Sequence, residues 1–335
     1  MSDIKGVEIH DVFGVSEPFT KLIETVSGGI GKLYEPIHIK RMAKAKAEEV
    51  KIIVEKISDF NALPIKYDAG KVMIDGTDFS ELAKRANGRL VFQELKKQNN
   101  IDNVVGYAAQ DLSNEKVVSE QPVDIDWITR FFDSVSDISS EDMQRIWGKI
   151  LAGEVKQPGS FSLRTLRVIK NINKEEALLF EKIAPFVMSC HTDKDKTIFN
   201  NFLFDVKLMN KKYRINFPDI MLLEDADLFY NSNTFRKVGF KLVPKEKESF
   251  FGYNRKIEIT NISNKTIEVS CLAHVLTEAG KELLPIILDR CTPPEPEYFS
   301  NCMDVIVKDT TMFSQIDLRK ESKIEISDYE VKKPQ

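Results

Sequence analysis

The chain has 335 residues, of which 42% are hydrophobic and 30% are charged, and its formal net charge is −4. This composition predicts a globular protein with room for two cores, or for one core with an attached module, and it excludes binding to nucleic acid or an anionic membrane through overall charge. The N-terminal residues lack the pattern of a secretion signal. The four cysteines lack the spacing of a zinc site, so we expect reduced thiols, no metal, no cofactor and a cytoplasmic location.

Residues 1–120 are predicted to form a helical region with long helices. In SEPFTKLIETVSGG, Ser16 is the expected N-cap, and Gly28 with Gly29 is the expected stop. A second helix is predicted within residues 35–60, where apolar residues recur at helical spacing. A third helix is predicted over residues 80–112, with about 33 residues and about 50 Å if it is unbroken; the alternative is a kink or break at Gly88 or in KQNNID.

Residues 121–189 are predicted to form a second helical region. Trp127, Phe131 and Phe132 fall on one side of a short helix. Ser140 precedes the acidic first turn of the next helix, where carboxylates complement the helix dipole.

The segment QPGSFSLRTLRVIK, residues 157–170, has two interpretations. We favour a capped helix, because Pro158 and Gly159 end the preceding helix and a serine hydroxyl can cap the next one. The alternative is anion binding, because free amides at a helix start and two arginines one turn apart can hold a phosphate. The candidate residues are Ser160, Ser162, Arg164 and Arg167. A P-loop is excluded, since GxxxxGK[ST] is absent here.

Residues 190–335 are predicted to form a mixed module. Alternating apolar and polar residues predict strands in KLMNKKYRINF, FRKVGFKLVP, RKIEITNIS and KTIEVSCLAHVLT, and helices are predicted in FPDIMLLEDADLF and LTEAGKELLPIILDR. The predicted fold class is therefore α+β, with an α-helical N-terminal domain followed by a smaller mixed module. The succession of a helix, several strands and a threonine-capped helix also gives this module a winged-helix-like order.

Three segments resemble a known bacterial family. They are SEDMQRIWGKILAGEVKQPGSFSLRTLRVIKNINKEEALLFEKI, SEPFTKLIETVSGGIGKLYEPIHIKRMAKAKAE and NGRLVFQELKKQNNIDNVVGYAAQDL. Together they are similar to the domain-of-unknown-function family DUF2806, and they have a distant likeness to abortive-infection alpha proteins of phage defence. The resemblance implies no catalytic residues, and it implies phage defence or stress regulation as the setting.

Two groups of basic residues are candidate binding surfaces. The first is a basic patch in the predicted second helix, for which a solvated helix face is the alternative interpretation. Its residues are Lys40, Arg41, Lys44 and Lys46. The second group lies on predicted strands among interleaved glutamates, so it predicts no strongly positive stripe. Its residues are Arg236, Lys237, Arg255 and Lys256.

The residues do not indicate a catalytic site. Histidines and cysteines are dispersed, and the neighbouring side chains of Cys190 and His191 usually point apart. We therefore predict a non-enzymatic cytoplasmic protein that acts through macromolecular contacts, foremost with an unidentified protein. A homo-oligomer is compatible with this prediction.

Two alternatives stay open. One is a DNA-binding regulator that uses the C-terminal module. The other is a membrane-surface effector that uses residues 16–46, where Phe19, Leu22, Ile23 and Val26 meet lipid while the lysines meet anionic head groups.

Overall fold

The structure is a computed structural model that describes residues 16–31, 65–68, 71–74, 79–113, 115–190, 200–204, 212–231 and 236–329. The chain divides into two compact units, residues 1–166 and residues 167–335. The sequence-based boundaries after residues 120 and 189 stay predictions. None of the described helices combines the length and the apolar composition that a membrane-spanning helix needs.

The described part of the first unit is mostly helical. Its elements are α1 (Glu17–Ile30), β1 (Ile65–Asp68), β2 (Lys71–Ile74), α2 (Phe79–Leu112), α3 (Ile125–Val135), α4 (Glu141–Lys156) and the start of α5 (Leu163–Asn171). The two short strands pair antiparallel with each other. Helix α2 runs unbroken over 34 residues, through both Gly88 and KQNNID, where the sequence left a break open. The helix predicted within residues 35–60 lies outside the described residues.

Aromatic side chains of α3 and α4 form the centre of this unit. The ring of Phe131 stacks on that of Trp127, with centroids 5.1 Å apart, and meets the edge of Trp147 at 5.4 Å. Helix α4 lies very close to α2, because a Cβ atom added to Gly148 would lie 2.5 Å from the Cβ atom of Tyr107. The core thus depends on large rings at some positions and on the absence of a side chain at another.

Helix α1 ends later than the sequence predicted. It continues through Gly28 and Gly29 and stops at Gly31, whose φ of +96° favours glycine. Gly29 has a packing role instead, because an added Cβ atom would lie 2.6 Å from the ring of Phe132. The prediction of a stop at these two glycines was therefore wrong.

The described part of the second unit combines helices with one large sheet. After the end of α5, its helices are α6 (Lys174–Ile183), α7 (Phe217–Asp225), α8 (Glu278–Leu288), α9 (Pro296–Ser314) and α10 (Leu318–Glu321). Its strands are β3 (Met188–Cys190), β4 (Asn200–Phe204), β5 (Arg236–Leu242), β6 (Lys247–Phe251), β7 (Arg255–Asn261), β8 (Ile267–Val275) and β9 (Ser322–Asp328). The sheet has seven antiparallel strands in the order β5-β8-β4-β3-β6-β7-β9.

Helix α9 completes the hydrogen bonding of the long strand β8. Strand β4 is short and pairs with β8 only at residues 273–275, so backbone groups earlier in β8 need other partners. The hydroxyl of Thr310 accepts from the Ser270 amide and donates to its carbonyl, both at 3.0 Å. The carboxylate of Asp309 accepts from the Leu272 amide at 2.9 Å. Polar side chains of a helix thus take the place of a neighbouring strand.

These elements confirm the predicted α+β class, with helices first and then an antiparallel sheet with helices. Strands β5, β7 and β8 lie where period-two alternation placed them. Residues Arg214–Asn216, within a further predicted strand, are not in a strand. The winged-helix-like order is not supported, because the strands of this module belong to one seven-stranded sheet.

Candidate interaction surface

A buried carboxylate organises the loop between α4 and α5. The Glu154 side chain accepts hydrogen bonds from the backbone amides of Gly159, at 2.6 Å, and Phe161, at 3.0 Å. Glu154 is 2% exposed, so its bond to the Phe161 amide is shielded from water, whereas its bond to the exposed Gly159 is partly shielded. Gly159 has a φ of +87°, which lets the chain reverse. We call this arrangement the Glu154 clasp.

Packing also holds the same loop. The ring of Phe161 lies against Gly153, where an added Cβ atom would be only 2.7 Å from it. The indole Nε1 of Trp127 donates to the Phe161 carbonyl at 2.7 Å. The loop is therefore fixed by its backbone, by its aromatic side chain and by the hydrogen bond from Trp127 of α3.

The four predicted anion-binding residues have different surroundings. Ser160 donates to the Gln157 carbonyl at 2.6 Å. Ser162 accepts from the Thr165 amide at 3.3 Å, which confirms the capping interpretation for this serine. Arg164 is exposed, and Arg167 pairs with the exposed Asp227 at 3.3 Å.

These contacts favour a structural role for the loop. Glu154 already takes two of its amides, so a phosphate bound there would have to replace a buried carboxylate. Anion binding at these residues stays a prediction.

The N-terminal basic patch of Lys40, Arg41, Lys44 and Lys46 lies outside the described residues. Two residues of the segment proposed to meet lipid, Leu22 and Val26, are buried in the first unit. The apolar face of α1 is thus used for packing.

The basic residues on the strands are paired with acids. Lys237 contacts Glu268 at 2.6 Å, Lys256 contacts Glu258 at 2.8 Å, and Arg255 contacts Asp328 at 3.3 Å. A hydrogen bond from Lys256 lowers the pKa of the Glu258 carboxyl, and Lys237 does the same for Glu268. Both glutamates therefore stay ionised and reduce the local positive potential.

The structure does not gather the four strand candidates into one patch. Successive residues of a strand point to opposite faces, so Arg255 and Lys256 do not share a face. Four strands also separate β5, which carries Lys237, from β7. The side chain of Arg236 is outside the described part. DNA binding through these residues stays a prediction.

The first part of α2 is exposed to solvent. From Leu82 to Asn99, no residue whose side chain is described is buried, and Asn100 is the first buried one. Five large apolar side chains on this stretch are 40–56% exposed. They are Leu82, Leu90, Val91, Phe92 and Leu95. We call residues 82–99 the exposed segment.

Charge and direction further define the exposed segment. Residues 85–99 carry four basic side chains and one acidic side chain, Glu94, which pairs with Lys97 at 2.9 Å. Successive residues of an α-helix point roughly 100° apart, so Leu90, Val91 and Phe92 point in three different directions. The segment is thus a basic helix with apolar side chains on more than one side.

The described cysteines do not form a reactive or metal-binding site. Burial, with a smaller contribution from Glu248, raises the pKa of the Cys190 thiol to about 12, which leaves it protonated at neutral pH. In the described part of the chain, no group of three or more histidine, cysteine, aspartate or glutamate side chains is placed to hold a metal ion.

Comparison with known families identifies the chain. The family model described as a protein of unknown function, DUF2806, matches residues 84–302, which is more than half of the chain. The chain belongs to the DUF2806 family. The comparisons with curated proteins and with solved structures found no match. The distant likeness to abortive-infection alpha proteins is not shown by any of these comparisons.

The part matched by DUF2806 includes the Glu154 clasp and nearly all of the exposed segment. No local pattern marks the role of Glu154, since its amide partners lie beyond a chain reversal. The exposed segment is equally hard to recognise in the sequence, because helical periodicity alone does not separate a packing face from a free one. An excess of lysine, arginine and large apolar residues over residues 82–97 was the available signal.

Proposed function

We propose that this protein is a non-enzymatic binding protein whose exposed segment binds an acidic, amphipathic segment of a partner protein. The single observation that carries the proposal is the set of five large apolar side chains, 40–56% exposed, along residues 82–99. Exposed apolar groups of this size that cluster on one element are typical of interaction sites. The excess of basic residues around them favours an acidic partner.

A protein partner fits this segment better than two other occupants. A flat membrane surface takes up one face of a helix, whereas Leu90, Val91 and Phe92 point in three directions. A second copy of the same segment would bring Arg85, Arg89, Lys96 and Lys97 close to their equivalents, and like charges repel. An acidic segment that packs around the helix meets both requirements.

The test is fluorescence anisotropy of the full chain with a labelled synthetic helical peptide that carries leucine on one face and glutamate on the other. We expect saturable binding that weakens with added salt, because exposed charges contribute to it. The double substitution Leu90→Gln with Val91→Gln should weaken binding at least about tenfold, through lost apolar burial. Glutamine keeps the helix propensity high, so the fold should be unaffected.

The matched control is the pair Val117→Gln with Met312→Gln, which removes two exposed apolar side chains elsewhere. Its affinity should stay within about twofold of the unmodified chain, since neither residue lies on the exposed segment. Equal losses in both pairs, or no binding to the peptide, would overturn the proposal. Binding to duplex DNA or to phosphatidylserine vesicles without binding to the peptide would replace it with the corresponding alternative.

The proposed setting is a cytoplasmic role in phage defence or stress regulation. Its support is the resemblance of the sequence segments together with the reduced state expected for the cysteines. Plaque counts on bacterial strains with and without the gene test this setting, and equal counts would remove phage defence.

A further inference from the structure

Strand β9 is an edge of the seven-stranded sheet. All seven of its residues pair with β7 in an unbroken antiparallel register, from Ser322 opposite Asn261 to Asp328 opposite Arg255. Within the described residues, no strand pairs with its other side. The strand contains neither proline nor a bulge, two of the features that usually protect an edge from pairing with another chain.

The hydrogen bonds show which residues of β9 face outward. The Ile262 amide donates to the Glu321 carbonyl, and the Tyr329 amide donates to the Asn254 carbonyl. Since hydrogen-bonded and non-hydrogen-bonded pairs alternate in an antiparallel ladder, the odd-numbered residues bond to β7. The backbone groups of Ile324 and Ile326 therefore point away from the sheet.

From this edge we infer that two copies of the chain pair through antiparallel β9 strands, with the twofold axis at Ile324. In this register the outward amide of Ile324 donates to the Ile324 carbonyl of the second copy, and its outward carbonyl accepts from the Ile324 amide of that copy. The outward groups of Ile326 lie opposite Ser322 of the second copy, and because Ser322 is only 4% exposed its carbonyl adds no further bond. The Ser322 amide takes no part, because it already donates to the Leu318 carbonyl.

The charged side chains of β9 favour a second copy as the pairing partner and a twofold axis that passes through Ile324. With the axis there, Lys323 of each copy lies opposite Glu325 of the other, on the same face of the continued sheet. Both side chains are more than half exposed and so are available for such contacts. An axis at Glu325 would place two glutamates opposite each other, and an axis at Ile326 would form no ion pair.

The pairing buries a small area, so we expect a weak dimer, with a Kd on the order of 10 μM. The test is sedimentation equilibrium of the full chain between about 1 and 100 μM. The mass should rise with concentration from 38.3 kDa towards twice that value. Lys323→Glu should weaken the dimer at least about tenfold, because it places glutamates opposite each other at two positions.

The decisive variant combines Lys323→Glu with Glu325→Lys. The double change restores complementary charges across the axis, so the dimer should return to within about threefold of the original Kd. Thermal unfolding of each variant serves as the control for the fold, since the Lys323–Glu325 pair at 2.8 Å within one chain is exposed and contributes little. A chain that stays monomeric, a dimer that is unaffected by Lys323→Glu, or a double variant that stays dissociated would each overturn the inference. This inference uses a different surface from the exposed segment and does not depend on the proposed function.

Discussion

Removing the carboxylate of the Glu154 clasp tests whether residues 157–162 are held as the structure shows. Glu154→Ala leaves the buried amide of Phe161 and the partly buried amide of Gly159 without their acceptor. A hydrogen bond to a charged group contributes about 1.5–3 kcal/mol to stability, and the bond to the exposed Gly159 contributes about 1.5–2 kcal/mol, so the two lost bonds should together cost about 3–5 kcal/mol. Glu154→Gln keeps one oxygen acceptor but loses the charge, and it should cost about half as much.

The assay is urea unfolding followed by tryptophan fluorescence. Both tryptophans, Trp127 and Trp147, lie in the first unit, so the signal reports on the unit that contains the clasp. With a slope of about 2 kcal/mol per M, the midpoint of Glu154→Ala should fall by roughly 1.5–2.5 M.

The control is Glu24→Gln, which neutralises an exposed glutamate on α1 and should stay within about 0.5 kcal/mol of the unmodified chain. If Glu154→Ala lost less than about 1 kcal/mol, the two amides would have other acceptors and the clasp would not hold the loop.

Two further predictions concern the cores. Burial raises the pKa values of Cys190 and Cys302 to about 12 and that of half-buried Cys291 to about 11. Ellman's reagent at about pH 8 should therefore react slowly with the native chain, first at Cys291, and should react with all thiols in urea. Fast reaction of every thiol in the native chain would contradict this burial. Gly148→Ala should lower the free energy of unfolding by about 1–3 kcal/mol, because the added methyl group would meet Tyr107 at 2.5 Å. The control, Gly106→Ala, meets no atom within 4 Å and should raise the free energy of unfolding by up to about 1 kcal/mol. Equal effects of the two substitutions would refute the close contact between α2 and α4.

Much of the fold was predictable where a local pattern decides the structure. Period-two alternation predicted β7 and β8, and the threonine before α8 does accept from the Gly280 amide, at 3.1 Å. The two glycines near the end of α1 show the limit of such rules. Gly29 was assigned as a stop from its local preference, but contact with the Phe132 ring explains it. A close approach of two helices is not visible in either helix alone.

The candidate surfaces were less predictable, because they depend on what each residue does not contact. The pattern of α2 shows apolar and basic residues together, and the same pattern suits a packed helix or a free one. Only the packing of the first unit separates Asn100, which is buried, from Asn99, which is exposed. Likewise, Lys237 resembles part of a basic surface until the pairing of β5 with β8 brings Glu268 within 2.6 Å of it, whereas Glu258 lies two residues from Lys256 on the same strand.

Strand β9 shows that the free side of a strand is decided by a partner distant in the sequence. In SKIEISD a lysine and a glutamate alternate with isoleucines, which identifies a strand but not its free side. The bonds to β7, whose residues lie 61 to 73 positions earlier than their partners, decide that odd-numbered residues bond inward and even-numbered residues bond outward. A shift of that register by one residue would turn the outward amides of Ile324 and Ile326 inward and reverse the faces of the charges. The pairing of Lys323 with Glu325 of a second copy therefore depends on the long-range register, and the charge-swap experiment tests the register and the dimer together.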